Sequence, residues 1–367
     1  MIDTHRKDYD MQEVIFDLQT ITPLFLAGAD QQAAELRAPS FRGLMRYWLR
    51  ASVGGIVGTG PDGRKKVADV EKSVLGATDR SSSIQVRIQH DQIAPMPFAK
   101  EGQNRHTATG RDYLFWSVAE RRYQIPPLTP FHIILTARQY AQDKEQEALK
   151  RAISAFWLLT HLGSIGSRSR RCAGSLSIRG YKGDVFDFPF QTPTTIDNLQ
   201  EQLRQGIRLS QELYKGEPTG FQQKPLFDIL HQSACDIWIL LNNGYPWQDR
   251  NQALRDIGKR LQSYRDTLSL DQRKIFGIPV MVLERGRSQP YHITGAGFKF
   301  RRLASPLHLR LAELREGHKV QYAGIATLFK TRWENMSEAE YDELYPLIDK
   351  LIEQEFVMAK RVTYDAR

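Results

Sequence analysis

Apolar and polar positions alternate through VIFDLQT (14–20), the period of two expected of a half-buried strand. The alternation returns in SSIQVRIQH (82–90), and PFHIILTARQ (130–139) and Leu176–Tyr181 read as two further strands. Between the first two, from about Pro39 to Ser52, the period lengthens to that of a helix. Leu44, Tyr47, Trp48 and Ala51 share one face of it, while Arg42, Arg46 and Arg50 recur every four residues on the opposite face. EQEALKRAISAFWLLTHL (145–162) is a second helix, nearly all apolar in its latter half, so it belongs in a core. Trp48, Phe156 and Trp157 accordingly read as core residues and not as platforms for stacked bases. VGGIVGTGPDGRKK (53–66) reads as a flexible basic loop. Residues 91–128 carry scattered Pro, Gly and charge and read as an insertion, with a helical piece near Arg111–Glu120.

The order strand, helix, strand, strand, helix, strand is the ferredoxin-like βαββαβ arrangement, which also underlies RNA-recognition modules. Two helices on one face of such a sheet leave the other face free for a ligand. The second half repeats the pattern less clearly. A connector over 184–225 holds one helix, with Ile196, Leu199, Leu203 and Ile207 at helical spacing. CDIWILL (235–241) and IPVMVL (278–283) read as buried strands around a charged helix (248–265). In 292–314 a glycine-basic turn leads into a strand with Leu307, Leu309 and Leu311 on one side and His308 and Arg310 on the other. VQYAGIATLF (320–329) is another strand, and Ser337-Glu338-Ala339-Glu340 is a capping box opening a last helix that Pro346 should break or kink. The expected fold is α+β: two ferredoxin-like domains with glycine-rich loops and a C-terminal helix. The first spans 1–185, with the 91–128 insertion, and the second, a degraded copy, spans 186–367.

Charge sharpens this picture. Lys and Arg number 51 against 42 Asp and Glu, a net charge of +9 that suits a polyanionic partner. The two cysteines, Cys172 and Cys235, lie far apart with no CxxC, which excludes a disulfide framework and a cysteine zinc site. The N-terminus shows no apolar secretory segment, and no window approaches the ~18 apolar residues of a spanning helix. A soluble cytoplasmic protein with no membrane contact is expected.

The candidate chemistry centres on GSIGSRSRRCAGSLSIRG (163–180), where Arg168, Arg170 and Arg171 sit among glycines between a buried helix and a strand. Glycine lets a backbone approach a phosphate, and arginine forks onto phosphate oxygens. There is no GK[ST] ending, so this is not a P-loop. The Arg42/Arg46/Arg50 stripe is either a second phosphate-binding element or a solvated helix face. His161 and His106 are the candidate general acids or bases, though neither has a His or carboxylate at ligand spacing. Cys172, flanked by arginine, is either a thiol of lowered pKa or a small packing residue. Asp30 with Asp17 is a weak candidate metal pair.

The segment ITPLFLAGADQQAAELRAPSFRGLMRYWLRA (21–51) resembles the opening of the RAMP superfamily of CRISPR proteins. It is most similar to the first-numbered RAMP subunit of the type III-B effector, the Cmr complex. Thr22-Pro23, Phe25 and Gly28 lead to Leu36-Arg37-Ala38-Pro39-Ser40, Arg42-Gly43, Arg46, Trp48, Arg50 and Ala51. The loop at 163–176 resembles the family's glycine-rich loop, with Cys172 where a second glycine is usual, and Arg301-Arg302 and Ser305-Pro306-Leu307 resemble its second-domain signature. The resemblance implies a subunit that contacts the guide RNA's 3′-end region and target RNA beside other RAMP subunits. It also places Arg37 where sister subunits that cut RNA carry an aspartate, and a guanidinium neither takes the proton of a 2′-hydroxyl nor holds a divalent metal. The expected RNA clamp comprises Arg37, Arg42, Arg46, Arg50, Arg168, Arg170 and Arg171, extended by Lys299, Arg301 and Arg302. No catalytic residue, metal or cofactor is expected. The alternatives are a metal-independent endoribonuclease using His161 or His106, and a purely structural adaptor.

Overall fold

The computed structural model describes residues 12–364 apart from 31–32, 104–106, 119–121, 139–141, 218–223, 278–280, 285–286, 291–302 and 335. The first half runs β1 (Glu13–Thr20), α1 (Ala38–Val57), α2 (Pro61–Leu75), β2 (Ile84–Gln89), β3 (Met96–Pro97) and α3 (Gly110–Phe115). It continues through β4 (Tyr123–Gln124), β5 (Pro130–Ala137), α4 (Gln142–His161) and β6 (Leu176–Lys182). Four strands form an antiparallel sheet in the order β2-β5-β1-β6, as expected of a ferredoxin-like domain. Val14, Phe16 and Leu18 turn inward and are buried, while Glu13 and Asp17 face away and pair with Arg87 (2.6 Å) and His132 (2.7 Å).

Residues 53–66 are not the loop that their glycines suggested. They hold the end of α1 and the start of α2, whose Val67, Val70 and Val74 are buried at helical spacing. Pro61 belongs there because the first helical turn has no use for its missing N–H. Gly55 inside α1 is a point of close approach: a Cβ there would stand 2.3 Å from the carbonyl oxygen of Leu230.

The second half runs α5 (Ile196–Glu212), β7 (Cys235–Leu240), α6 (Arg250–Thr267), β8 (Met281–Glu284), β9 (Arg287–Pro290), β10 (Leu307–Glu316), β11 (Lys319–Phe329), α7 (Glu338–Glu355) and β12 (Lys360–Arg361). Its main sheet, β10-β11-β7-β12, repeats the first sheet's strand order, with a two-residue last strand. Of the strand expected at 278–283, residues 278–280 lie outside the described residues. The remainder pairs only with β9 and takes no part in the four-stranded sheet. Helix α7 runs without interruption through Pro346, because Tyr345, Leu347, Ile348 and Leu351 bury on both sides of it. Its capping box is present: Ser337 accepts from the Glu340 amide (3.1 Å) and Glu340 from the Ser337 amide (3.0 Å). Ser337→Ala is expected to cost about 1 kcal/mol, read as a lowered denaturant midpoint.

The second sheet has no free face. Leu307, Leu309, Leu311 and Leu328 share a core with residues of α6 and α7. Ile237, Ile239, Leu314 and Ile325 join instead the first domain's core, with Trp48, Leu203 and Ile207. Among the described residues an uncovered sheet face is therefore found on the first sheet, where Gln85, Arg87 and His132 are exposed, and not on the second. The insertion is a strut between the halves: α3 crosses α6 so closely that a Cβ on Gly258 would lie 1.9 Å from the Gly110 carbonyl oxygen. Arg255 of α6 pairs with Glu101 beside that crossing (2.8 and 2.9 Å).

Candidate nucleic-acid interface

The glycine-arginine loop folds back on the protein. Gly174 takes φ +65° and brings its chain against Ile165, where a Cβ would lie 1.9 Å from the carbonyl oxygen. Arg171 is 6% exposed. It donates to the carbonyl oxygens of Phe276 (2.8 Å), Leu307 (3.2 Å) and Arg170 (2.9 Å) and to Ser305 Oγ (3.2 Å). Arg170 donates to the Ser305 carbonyl, lies 3.8 Å from Asp228 and stands over the Tyr47 ring at 5.8 Å. Arg168 donates to the Leu114 carbonyl (2.7 Å) and the Cys172 amide to that of Leu309 (2.8 Å). Burial lowers the proton affinity of Arg168 to about 10 and of Arg171 to about 9. The three guanidiniums drawn from sequence as phosphate ligands thus hold main-chain oxygens, and Arg171 in particular presents nothing to a strand in solution.

Two of the three arginines of the helical stripe are likewise bonded within the protein. Arg46 donates to Glu71 (2.6 Å) and to the Leu75 (2.6 Å) and Gly76 (2.7 Å) carbonyls, and Arg42 to Leu75, so both close the C-terminus of α2. Those last carbonyls have no helical partner and sit at the negative end of the helix dipole, which explains why arginine is placed there. Arg50 pairs with Glu71 (3.2 Å) and Arg37 with Glu35 (3.1 Å), yet their side chains remain 44% and 41% exposed. Lys299, Arg301, Arg302 and His106 lie outside the described residues.

His161 is sealed in the core. It stacks on Trp157 (4.3 Å between centroids), bonds the Trp157 carbonyl through Nδ1 (2.9 Å), and burial, with the charge of Arg310, lowers its pKa to about 3. It is 9% exposed, with its ring on Trp157 and its Nδ1 already bonded, the surroundings of a packing residue. Burial pushes the Cys172 thiol up to about 12, which removes the reactive-thiol alternative. Asp17 is taken up by His132, and no metal-binding group of three His, Cys, Asp or Glu occurs among the described residues.

One arrangement escaped the sequence reading. Tyr47 donates to Asp228 (2.6 Å), His308 Nε2 lies 3.2 Å from the same hydroxyl, and Thr331 donates to the other carboxylate oxygen (2.5 Å). These groups lie 181 and more residues apart from Tyr47 along the chain, so no local pattern joins them. Tyr47 and Asp228 line a cavity of about 510 Å³ with Phe227 and Val67 as walls and Arg50 and Arg64 among its lining residues. Arg64 is exposed and has no ion partner among the described residues.

Two ferredoxin-like domains, each of strand order 2-3-1-4, with the first domain's glycine-rich loop bonded to β10 of the second, place the chain among the double-domain relatives of RNA-recognition folds. The model of the RAMP superfamily matches residues 17–177. The CRISPR system Cmr subunit Cmr1-2 of Pyrococcus furiosus is 30% identical over 183 residues, 46% of this chain and 96% of the relative. Cmr1-1 of the same organism is 25% identical over 312 residues, 82% of this chain and 83% of the relative. Among solved structures, the apo form of Cmr1 from Pyrococcus furiosus superposes with a TM-score of 0.66 at 21% identity, covering 96% of this chain and 99% of that one. A chain of the type III-B Cmr-beta complex bound to cognate target RNA superposes at 0.59 with 12% identity, covering 94% and 100%. The chain belongs to the RAMP superfamily, in its Cmr branch. No helix among the described residues is long and apolar enough to cross a membrane.

Proposed function

We propose that this chain is an RNA-holding subunit of a type III-B CRISPR effector. In this reading it contacts the guide RNA's 3′-end region and the target RNA beside other RAMP subunits, in the cytoplasm, and cuts neither strand. The observation that carries the assembly part is the 30% identity with a Cmr subunit over 96% of that relative. The RNA part is supported by the cations left at the surface once the structural arginines are set aside. Arg50 and Arg64 border a cavity with two aromatic walls, Tyr47 and Phe227, and Arg37 stays half-exposed nearby in sequence. Guanidiniums beside aromatic faces suit single-stranded RNA, whose phosphates take charge and whose bases stack. Sequence would be read by guide–target pairing, so backbone contacts suffice. The absence of cutting is supported by Arg37 at the position where cutting relatives of the resembled family carry aspartate, and by the burial of His161.

Arg37→Ala, Arg50→Ala and Arg64→Ala combined are expected to weaken single-stranded RNA binding and to make the slope of log affinity against log salt shallower by about 2, three contacts at ~0.7 each. The melting temperature should hardly change, because Arg37 and Arg50 are in exposed pairs of little worth. The same preparations should leave RNA intact with or without EDTA. An unaltered salt slope rejects these contacts.

A further inference from the structure

We propose that the tip formed by Tyr245, Val357 and Met358 is a docking anchor for another protein subunit that presents an uncharged, apolar socket. This rests on the reading of the chain as an effector subunit. Tyr245 and Val357 are each 75% exposed and Met358 58%, the three most exposed large apolar side chains among the described residues. Two separate segments bring them together: a Cβ on Gly244 would stand 3.6 Å from the Met358 terminal methyl.

The tip is rigid. Asn242 and Tyr245 exchange both backbone hydrogen bonds (2.8 and 3.0 Å) around Asn243 (φ 50°) and Gly244 (φ 88°), the two left-handed residues of a tight hairpin turn. Trp247 then exchanges both bonds with Tyr322 of β11 (2.8 Å each), which ties the turn to the sheet. On the other segment Phe356 is buried beneath the Arg260 guanidinium (5.1 Å), and the Ala359 amide closes onto the Phe356 carbonyl (2.7 Å). Exposed apolar groups on pre-ordered backbone lose little entropy when covered.

The surrounding charges select protein over nucleic acid. Arg260 is engaged by the Glu355 carbonyl (2.6 Å) and Asn242 (3.3 Å), Lys360 by Asp197 (2.5 Å) and Arg361 by Asp236. A phosphate strand laid across the tip meets cations already occupied, whereas exposed tyrosine and methionine are residue types enriched in protein interfaces, with Val357 adding uncharged apolar surface beside them. Three side chains fall far short of the ~800 Å² per partner that a stable free-standing pair requires, so a second copy held by this tip alone is disfavoured. The feature fits one contact among several, as in a multi-subunit assembly.

The test is reconstitution of the full chain with the other subunits of a type III-B effector on guide RNA. Incorporation is scored by native mass spectrometry for wild type and for Tyr245→Ser/Val357→Ser/Met358→Ser. Incorporation is expected to fall at least tenfold, with single-stranded RNA affinity and melting temperature unchanged. Wild type that enters the assembly alongside an equally competent variant overturns the anchor alone. Wild type that fails to enter overturns the subunit reading and this inference with it, and a wild-type dimer that the variant dissolves assigns the tip to a second copy and overturns it. Should the triple variant lose its fold, Val357→Lys, a single change at a 75% exposed site, gives the same decision.

Discussion

Arg171→Ala is expected to destabilise the fold by about 3 kcal/mol and to leave the RNA affinity of the folded fraction unchanged. Four acceptors take bonds from this one guanidinium, the Phe276, Leu307 and Arg170 carbonyls and Ser305 Oγ, although Leu307 and Ser305 also bond each other (3.2 and 3.3 Å). Each buried acceptor left without a donor costs about 1–3 kcal/mol, and removing a buried cation returns part of that sum. No carboxylate pairs with Arg171 among the described ion pairs, so the charge is balanced by main-chain dipoles drawn from the second domain. Arg171→Lys should recover only a fraction, because one ammonium lacks the planar fork that reaches acceptors on two sides. Denaturant midpoints measure the loss, and RNA binding titrated on the folded fraction separates the two roles. Lost affinity without lost stability would restore Arg171 to the RNA surface.

The arginines show where a sequence stops being informative. A guanidinium bonds a carbonyl oxygen and a phosphate oxygen through the same N–H groups, so glycine and arginine in a loop announce a donor and say nothing of its acceptor. Here the acceptors, Phe276, Ser305 and Leu307, lie 105 to 136 residues downstream. The Tyr47–Asp228–His308 contact was illegible for the same reason. Strand order was legible because alternation along β1, β2 and β5 records one buried face, and each strand's neighbours follow from two split β-α-β units. The covered face of the second sheet was not legible: a strand buried on both sides, such as β10, still alternates leucine with His308 and Arg310. Arg310 is polar yet 3% exposed, because its guanidinium finds the Leu176 carbonyl of the first domain (2.8 Å). The RAMP-like motif also has a structural content of its own. Thr22 donates to the Cys172 carbonyl (2.6 Å) and accepts from the Ser175 amide (2.9 Å), so the opening segment and the glycine-arginine loop fix each other.

Acidification should weaken this fold, with about 2 kcal/mol of stability lost between pH 7 and pH 5 through His161 and a further loss in the same direction through His308. The loss comes from two histidines held neutral at the domain junction. His161 has its pKa lowered to about 3, by burial first and then by the charge of Arg310. His308 is lowered well below its usual value, again by burial and then by Arg170 and Arg171. In the unfolded chain both return to about 6.5. Below that value the unfolded state takes up protons that the folded state refuses, so folding weakens by about 1.4 kcal/mol per pH unit through His161, and His308 acts in the same direction. The contribution is fully present above the unfolded pKa. It declines as pH falls, and for His161 it stops declining near pH 3, where the folded form is protonated as well. His161→Gln should make the profile shallower over pH 6 to 5 by removing one of the two protons, and His161→Gln with His308→Gln should flatten it further. Urea denaturation at pH 7, 6, 5.5 and 5 measures the slope. A wild-type profile that stays level over this range would mean that the folded protein accepts these protons, and that the junction is open to water where the structure has it closed.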